Sequence, residues 1–517
     1  MTLGTRDRNL LRNRGGSDAP RRIFALLTAA LALGALAVTL PPVVGAADPL
    51  VPPGDDQYIL LGWNDLGMHC SNKRFADLAV LPPFNTAWST LIRKGTSTSL
   101  PQVVGPGFSV QYEIQGNTYS VGKTDFWTYA PQLFGVNLPD NIGLTGKGLS
   151  GTMDWSTDHF AAVGIPITPY DDANLLTEQP FQLANLRAYD SNNVLVASTQ
   201  IVTPVSNEMT CNACHHPNVG ETVDHAILRL HDSEEGTNLQ NSRPVLCANC
   251  HGSNALGMPG NPSLPSLSEA MHTRHAEETN DCYKCHPGPN TRCLRDVMST
   301  QHGMTCISCH GNTLQVATSI EQGRRPWLDE PRCETCHGAS HAESPATLYR
   351  NSHNGHGGLY CETCHSSTHA ILPSREERDD RQNVALQGHS GTLRECVVCH
   401  GITPSGPGPH GYIPTTGVPE TSAIAHAAHV ETAPNPMRES TEIHYRVVDS
   451  QPIRLAIVDA TGREVRILTA NSQTPGEHTL VWDGKHTDGS PAASGVYFAK
   501  LNTAGQTASS RLVRIGR

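Results

Sequence analysis

Cys211-Asn212-Ala213-Cys214-His215 is the first of seven occurrences of one pattern: two Cys three residues apart, with His directly after the second. The others are Cys247-Ala-Asn-Cys250-His251, Cys282-Tyr-Lys-Cys285-His286, Cys306-Ile-Ser-Cys309-His310, Cys333-Glu-Thr-Cys336-His337, Cys361-Glu-Thr-Cys364-His365 and Cys396-Val-Val-Cys399-His400. They absorb all but two of the 16 Cys in this chain of 517 residues, which also carries 26 His. Motif starts are 36, 35, 24, 27, 28 and 35 residues apart. That spacing is too irregular for a solenoid of equal repeats.

The repeated His decides the chemistry. Two thiols at i and i+3 reach the two vinyl groups of one porphyrin, and the next His falls under its iron. Zinc knuckles also use CxxC, but tetrahedral zinc does not require His after every second Cys. Disulfides suit an oxidising compartment yet leave the same His unexplained. The reading is seven covalent haems c, with the fourteen Cys as attachment points and the seven motif His as proximal ligands. Residues 206–430 then provide about 32 residues per haem, below the roughly 40 that an unaided core needs. The haems must therefore serve as core and lie close together. Gly, Pro, Asn and Ser are frequent here and long apolar periodicities are missing, which predicts a loop-rich, mostly helical domain.

Electron-transfer haems need a sixth ligand each. Outside the motifs the region holds His216, His225, His231, His272, His275, His302, His341, His353, His356, His369, His389, His410, His426 and His429. His is a common metal ligand, so bis-His ligation throughout is feasible. Position singles out His302, His356 and His389 shortly before a motif, His272 and His275 before Cys282, and His341 and His369 four residues after one. His353 is a further candidate. His216 follows a proximal ligand and so points elsewhere, toward a neighbouring haem. Cys70 and Cys293 remain. They pair with each other, or Cys70 belongs to a special turn, Asn64-Asp65-Leu66-Gly67-Met68-His69-Cys70. Blue-copper folds scatter such ligands more widely in sequence, so His69 reads better as another distal haem ligand.

Residues 1–47 read as an export signal: six Arg, an uncharged apolar run from Ile23 to Leu40, then Val44-Gly45-Ala46-Ala47 for cleavage. An uncleaved anchor and a twin-arginine signal at Arg21-Arg22 are the other readings. Cleavage removes six Arg and two Asp, taking the net charge from −11 to −15. That balance excludes nucleic acid and anionic lipid as natural partners.

The flanks differ from the centre. Residues 48–205 predict a β-rich module abutting the first haem. One hairpin is expected from Phe108–Ile114 through Gly116-Asn117 to Thr118–Val121, and a second from Leu186–Tyr189 to Val194–Ala197. A Pro-rich linker spans about 401–440. Beyond it, short alternating strands at Ile453–Ile457, Glu464–Leu468, Glu477–Trp482, Val496–Leu501 and Arg511–Ile515 predict a small β-sandwich over 431–517. Asn435-Pro436, Asp459–Val465, Gly476-Glu477-His478, Trp482-Asp483-Gly484 and Ala493–Phe498 resemble FlgD-like immunoglobulin domains at the C-termini of secreted bacterial proteins. The resemblance implies a sorting or anchoring module.

The central motifs resemble multihaem c-type cytochromes of metal- and mineral-respiring bacteria. The resemblance implies electron transfer in the periplasm or outside the cell. Partners would be redox proteins, an extracellular mineral or an electron shuttle, and copies of the chain itself in an oligomer or filament. The alternative is a multihaem reductase or dehydrogenase acting on a small nitrogen or sulfur compound at one open-site haem. Tyr283, Lys284 and Arg324-Arg325 would then line its pocket.

Overall fold

The structure, a computed structural model, describes residues 57–338, 347–353, 356–406, 408–411, 429–433, 436–447, 451–459, 463–474, 476–503 and 507–515. The export segment, His341, His426 and most of the Pro-rich stretch lie outside the described residues.

The N-terminal module is built from two five-stranded sheets. In the first, Thr86–Arg93 runs antiparallel to Tyr58–Asn64, Phe160–Val163 and Gln102–Val104. In the second, Phe181–Tyr189 lies between Leu195–Ser206 and Ser109–Ile114. Period-two alternation puts apolar side chains of both sheets on facing sides. Leu60, Leu91, Val110, Tyr112, Phe160, Leu186 and Ile201 form the resulting core.

The second expected hairpin is present and longer than its sequence signal, turning at Asn193 (φ 61°) with Ala188 opposite Ala197. The first expected hairpin is not formed. Ser109–Ile114 pairs instead with Phe181–Tyr189 and Ser150–Thr152. Asn117 is fully buried and donates to the Thr168 carbonyl (2.9 Å) and to Gln182 (2.7 Å), so residues after Gly116 leave the sheet.

The centre consists of short helices and loops, as its composition predicts. Val223–Glu235 is the longest helix, capped by Thr222 at its start and by Gly236 in a left-handed conformation at its end. Leu267–His275 begins with a capping box between Ser266 and Glu269.

The N-terminal module does not merely abut the first motif. Ala248 of the second motif and Leu246 just before it pack with Phe75 and Phe126. Val398 of the seventh packs with Ile59, Leu61 and Ile92, and the Gly95 N–H donates to the Cys399 carbonyl (2.8 Å). Gln382 accepts from the Gly62 N–H (2.7 Å) and the Thr199 hydroxyl (3.0 Å), all buried. Sheet and motif segments thus share one interior.

The C-terminal strands form a three-stranded sheet (His429–Ala433, Thr441–Val447, Gly476–Trp482) and a four-stranded one (Glu464–Thr469, Arg454–Asp459, Gly495–Asn502, Thr507–Arg514). They close over Trp482, Tyr445, Leu455, Ile457, Leu501 and Leu512, close to the expected strand positions.

Candidate metal centres

Each motif folds as one helical turn. The N–H of His215, His251, His286, His337 and His400 donates to the carbonyl of its first Cys, at 2.9 Å in every case. Cys at i and i+3 therefore share a face of the turn. The second Cys is exposed in five motifs (Cys214, Cys250, Cys285, Cys309 and Cys336).

Among the described residues, six of the seven motif histidines face another histidine from elsewhere in the chain. Ring centres are 6.2 Å apart for His215–His275, 6.3 Å for His231–His251, 6.2 Å for His272–His286, 6.2 Å for His310–His369 and 6.2 Å for His365–His410. A metal between two imidazoles, with bonds of about 2.0 Å and about 1.1 Å from nitrogen to ring centre, places the centres about 6.2 Å apart. His356 and His400 are closer, 5.6 Å between centres and 3.3 Å between Nε2 atoms. That pair must open by about 0.6 Å between ring centres to admit an iron. His337 lies near His365.

Several rings are oriented through Nδ1. The Ser268 carbonyl accepts from His272 (2.7 Å), that of Met271 from His275 (2.7 Å) and that of Pro265 from His251 (2.9 Å). Donation from Nδ1 fixes the tautomer that leaves the Nε2 lone pair free for a metal. Burial is the main cause holding His286, His365 and His369 down at about 4, with neighbouring His adding to it. Burial likewise lowers His215, His272, His310 and His400. Neutral imidazole is the ligating form.

Of the distal candidates, the fold brings His272, His275, His356 and His369 opposite motif histidines. His231 and His410 do the same, although nothing in their local spacing marks them. His69 is buried, with its Nε2 bonded to Asp65 (2.9 Å) and its ring against Phe84. His353 lies against Tyr360, and His389 is bonded to the Ser390 carbonyl and Glu395. His216 and His302 are exposed and face no motif histidine among the described residues. Arg325 is engaged by Asp329 (2.9 Å), and Arg324 bonds to the Ser319 hydroxyl (2.9 Å).

Cys70 and Cys293 lie near each other. Burial first, then the Cys293 thiol, pushes Cys70 up to about 12. Sulfurs of different motifs also approach one another. Cys282 lies within hydrogen-bond reach of Cys306, Cys285 lies near Cys214, and Cys364 lies near Cys399. Among the described residues, no group of three or more His, Cys, Asp or Glu is arranged to hold a metal ion alone. The imidazole pairs offer two protein ligands each, which suits an iron whose other four ligands come from a macrocycle.

Residues 448–506 match the family model of the FlgD Ig-like domain, so the C-terminal sandwich is a domain of that kind. Among solved structures, PorZ of Porphyromonas gingivalis, a surface component of the type-IX secretion system, is 25% identical over 17% of this chain and 11% of its own, with a TM-score of 0.14. FLGD from P. aeruginosa is 22% identical over 14% of this chain and 60% of its own, TM-score 0.13. This chain thus spans about a tenth of the length of PorZ. No curated protein matches.

Proposed function

We propose that this chain is an exported c-type cytochrome that binds seven haems covalently and carries electrons in the periplasm or at the cell exterior. The observation that supports it best is the set of six imidazole pairs, each joining a CxxCH histidine to a distant one, five of them at the separation an iron requires. Chance burial of His would not repeat one distance at five separate motifs.

The residues fit the group. Each pair of Cys on one helical turn would bond the porphyrin edge, the motif His would hold the iron from one side, and the facing His would hold it from the other. Haem c, when bound, supplies a one-electron iron couple at low potential under bis-His ligation. The paired imidazoles would leave no room at the iron for small ligands, and the proximity of Cys from different motifs supports short distances between sites. The apolar run Ile23–Leu40 and the FlgD Ig-like domain support export. Redox proteins, an electron shuttle or a mineral are the partners proposed.

Mass spectrometry of the mature protein, low-temperature EPR, and ferrous spectra with and without carbon monoxide test this reading. Seven covalent haems, all low-spin and unreactive to carbon monoxide, are expected. A protein without covalent haem refutes it. A stoichiometric high-spin haem that binds carbon monoxide turns the reading to a reductase or dehydrogenase.

A further inference from the structure

The Asn64–Cys70 turn is the one sequence feature that the proposed function leaves without a role. It lies at the end of the strand Tyr58–Asn64 and touches the centre of the motif region. The Asn64 side chain accepts from the Leu66 and Gly67 N–H groups (3.2 and 2.9 Å), which closes the turn. Its amide donates to Asn85 (2.8 Å) and to the Thr86 carbonyl (2.6 Å), which anchors the turn to the neighbouring strand.

The opposite face of the turn meets residues 366–369. The Ser367 hydroxyl donates to the Asn64 carbonyl. Gly67, at φ 72°, comes so near that a Cβ there would stand 1.9 Å from the Thr368 carbonyl oxygen. The Leu66 backbone lies beside the His369 ring. Arg295 completes the enclosure. Its side chain donates to the Gly67 carbonyl (2.6 Å) and its N–H to the His369 carbonyl (2.9 Å). His369 itself sits at φ 67°, a conformation that costs a non-glycine residue about 1–3 kcal/mol and persists only when its surroundings impose it.

We infer that the Asn64–Cys70 turn is a positioning device: it holds His369 in its left-handed conformation and aims the ring at His310, so that the fourth motif's iron keeps its sixth ligand. Asn64, Leu66 and Gly67 are positioning residues, and His69 serves the turn through Asp65 rather than binding iron. Such outer contacts set ring orientation and tautomer at metal sites. The inference rests on the cytochrome reading. It also gives the N-terminal module a share in one site far along the chain.

The test is Gly67→Ala in the full chain, beside Gly116→Ala and His369→Ala. Gly116 has a similar φ of 68° but nothing within 4 Å of a Cβ, so it carries the same backbone cost without the contact. Mass spectrometry counts haems, circular dichroism reports folding, and EPR with carbon monoxide titration reports open sites. Gly67→Ala and His369→Ala are expected to keep seven haems, one of which turns high-spin and binds carbon monoxide, while Gly116→Ala stays wholly low-spin. Ser367→Ala, a milder change on the same contact, is expected to raise carbon monoxide binding at one haem. If both Gly67→Ala and Ser367→Ala accumulate with seven low-spin haems, or if Gly116→Ala opens the same site, the inference is overturned. If His369→Ala opens no haem, the His310–His369 pairing is wrong. Absence of haem from the parent protein would instead overturn the cytochrome reading.

Discussion

Asp379→Asn should destabilise this protein more than its size suggests. Arg295 is 1% exposed on its side chain and Asp379 3%. Nε and Nη2 of the guanidinium meet the two carboxylate oxygens at 2.6 and 2.9 Å. Nη1 serves the Gly67 and Cys293 carbonyls (2.6 and 3.1 Å), and the plane lies 4.7 Å from the Phe181 ring centre. Asparagine keeps the shape and one acceptor but leaves a dry cation without a counter-charge. Breaking a buried pair from one side costs about 3–5 kcal/mol, and the retained acceptor puts the expectation at about 3 kcal/mol. With a urea dependence of about 1–3 kcal/mol per molar, the unfolding midpoint falls by about 1–3 M. Arg295→Met with Asp379→Leu removes both charges. Replacing a buried pair with apolar groups is often neutral or stabilising, while the two orphaned carbonyls cost about 1–3 kcal/mol each if they stay dry. The double variant should therefore lose less than the sum of Arg295→Met and Asp379→Leu measured alone. Urea unfolding of the haem-loaded protein, followed by circular dichroism and tryptophan fluorescence, measures the cycle. Loss of less than about 1 kcal/mol in Asp379→Asn, or strict additivity of the single variants, would falsify the claim that this pair is desolvated and coupled.

Other outcomes follow from named residues. His272→Met and His275→Met should each leave seven haems and move one reduction step to higher potential, a different haem in each variant, as read by spectroelectrochemistry. The same haem moving in both would sink the assignment of these residues to separate motifs. Glu362 is 1% exposed. Burial first, then Asp65 and Glu330, raises its carboxyl well above the usual range against Arg350 and Trp63. A raised folded pKa stabilises below the unfolded value of about 4.3 and loses that contribution as pH climbs toward the folded value. Glu362→Gln should match the parent at pH 4 and exceed it at pH 8 in urea midpoint. Equal differences at both pH values would rule this out. Trp482 is fully buried in the C-terminal sandwich, so Trp482→Ala should cost about 3–5 kcal/mol there and make that domain protease-sensitive. Haem count should not change.

The attachment motifs and the C-terminal strands were legible because their signals are local. CxxCH is complete within five residues, and Tyr497, Ala499 and Leu501 are buried between more exposed neighbours along their own strand. The distal ligands were not legible in the same way. His231 and His410 are marked by no nearby motif, and only folding brings them to His251 and His365. His69 sits in a cluster of possible ligands that serves a turn, where Asp65 bonds the imidazole. The missed hairpin has a similar cause. Gly116-Asn117 has the composition of a two-residue turn, but Asn117 is spent on buried hydrogen bonds to Thr168 and Gln182. The helix Phe126–Phe134 was hidden by Pro131 in its interior.

The order of these residues along the chain bears on how the protein is made. His231 and His272 precede the motifs they face, whereas His275, His369 and His410 follow theirs. On the proposed reading, a chain crossing the membrane from its N-terminus receives its first haem long before His275 emerges. The first motif would hold its group from one side alone until the helix Leu267–His275 brings His275 to face His215. The same helix carries the facing imidazoles of the first and third motifs, since His272 and His275 both lie on it. Truncation before residue 275 would leave the first motif without its facing imidazole, so a partial product would lack a site that the full chain completes.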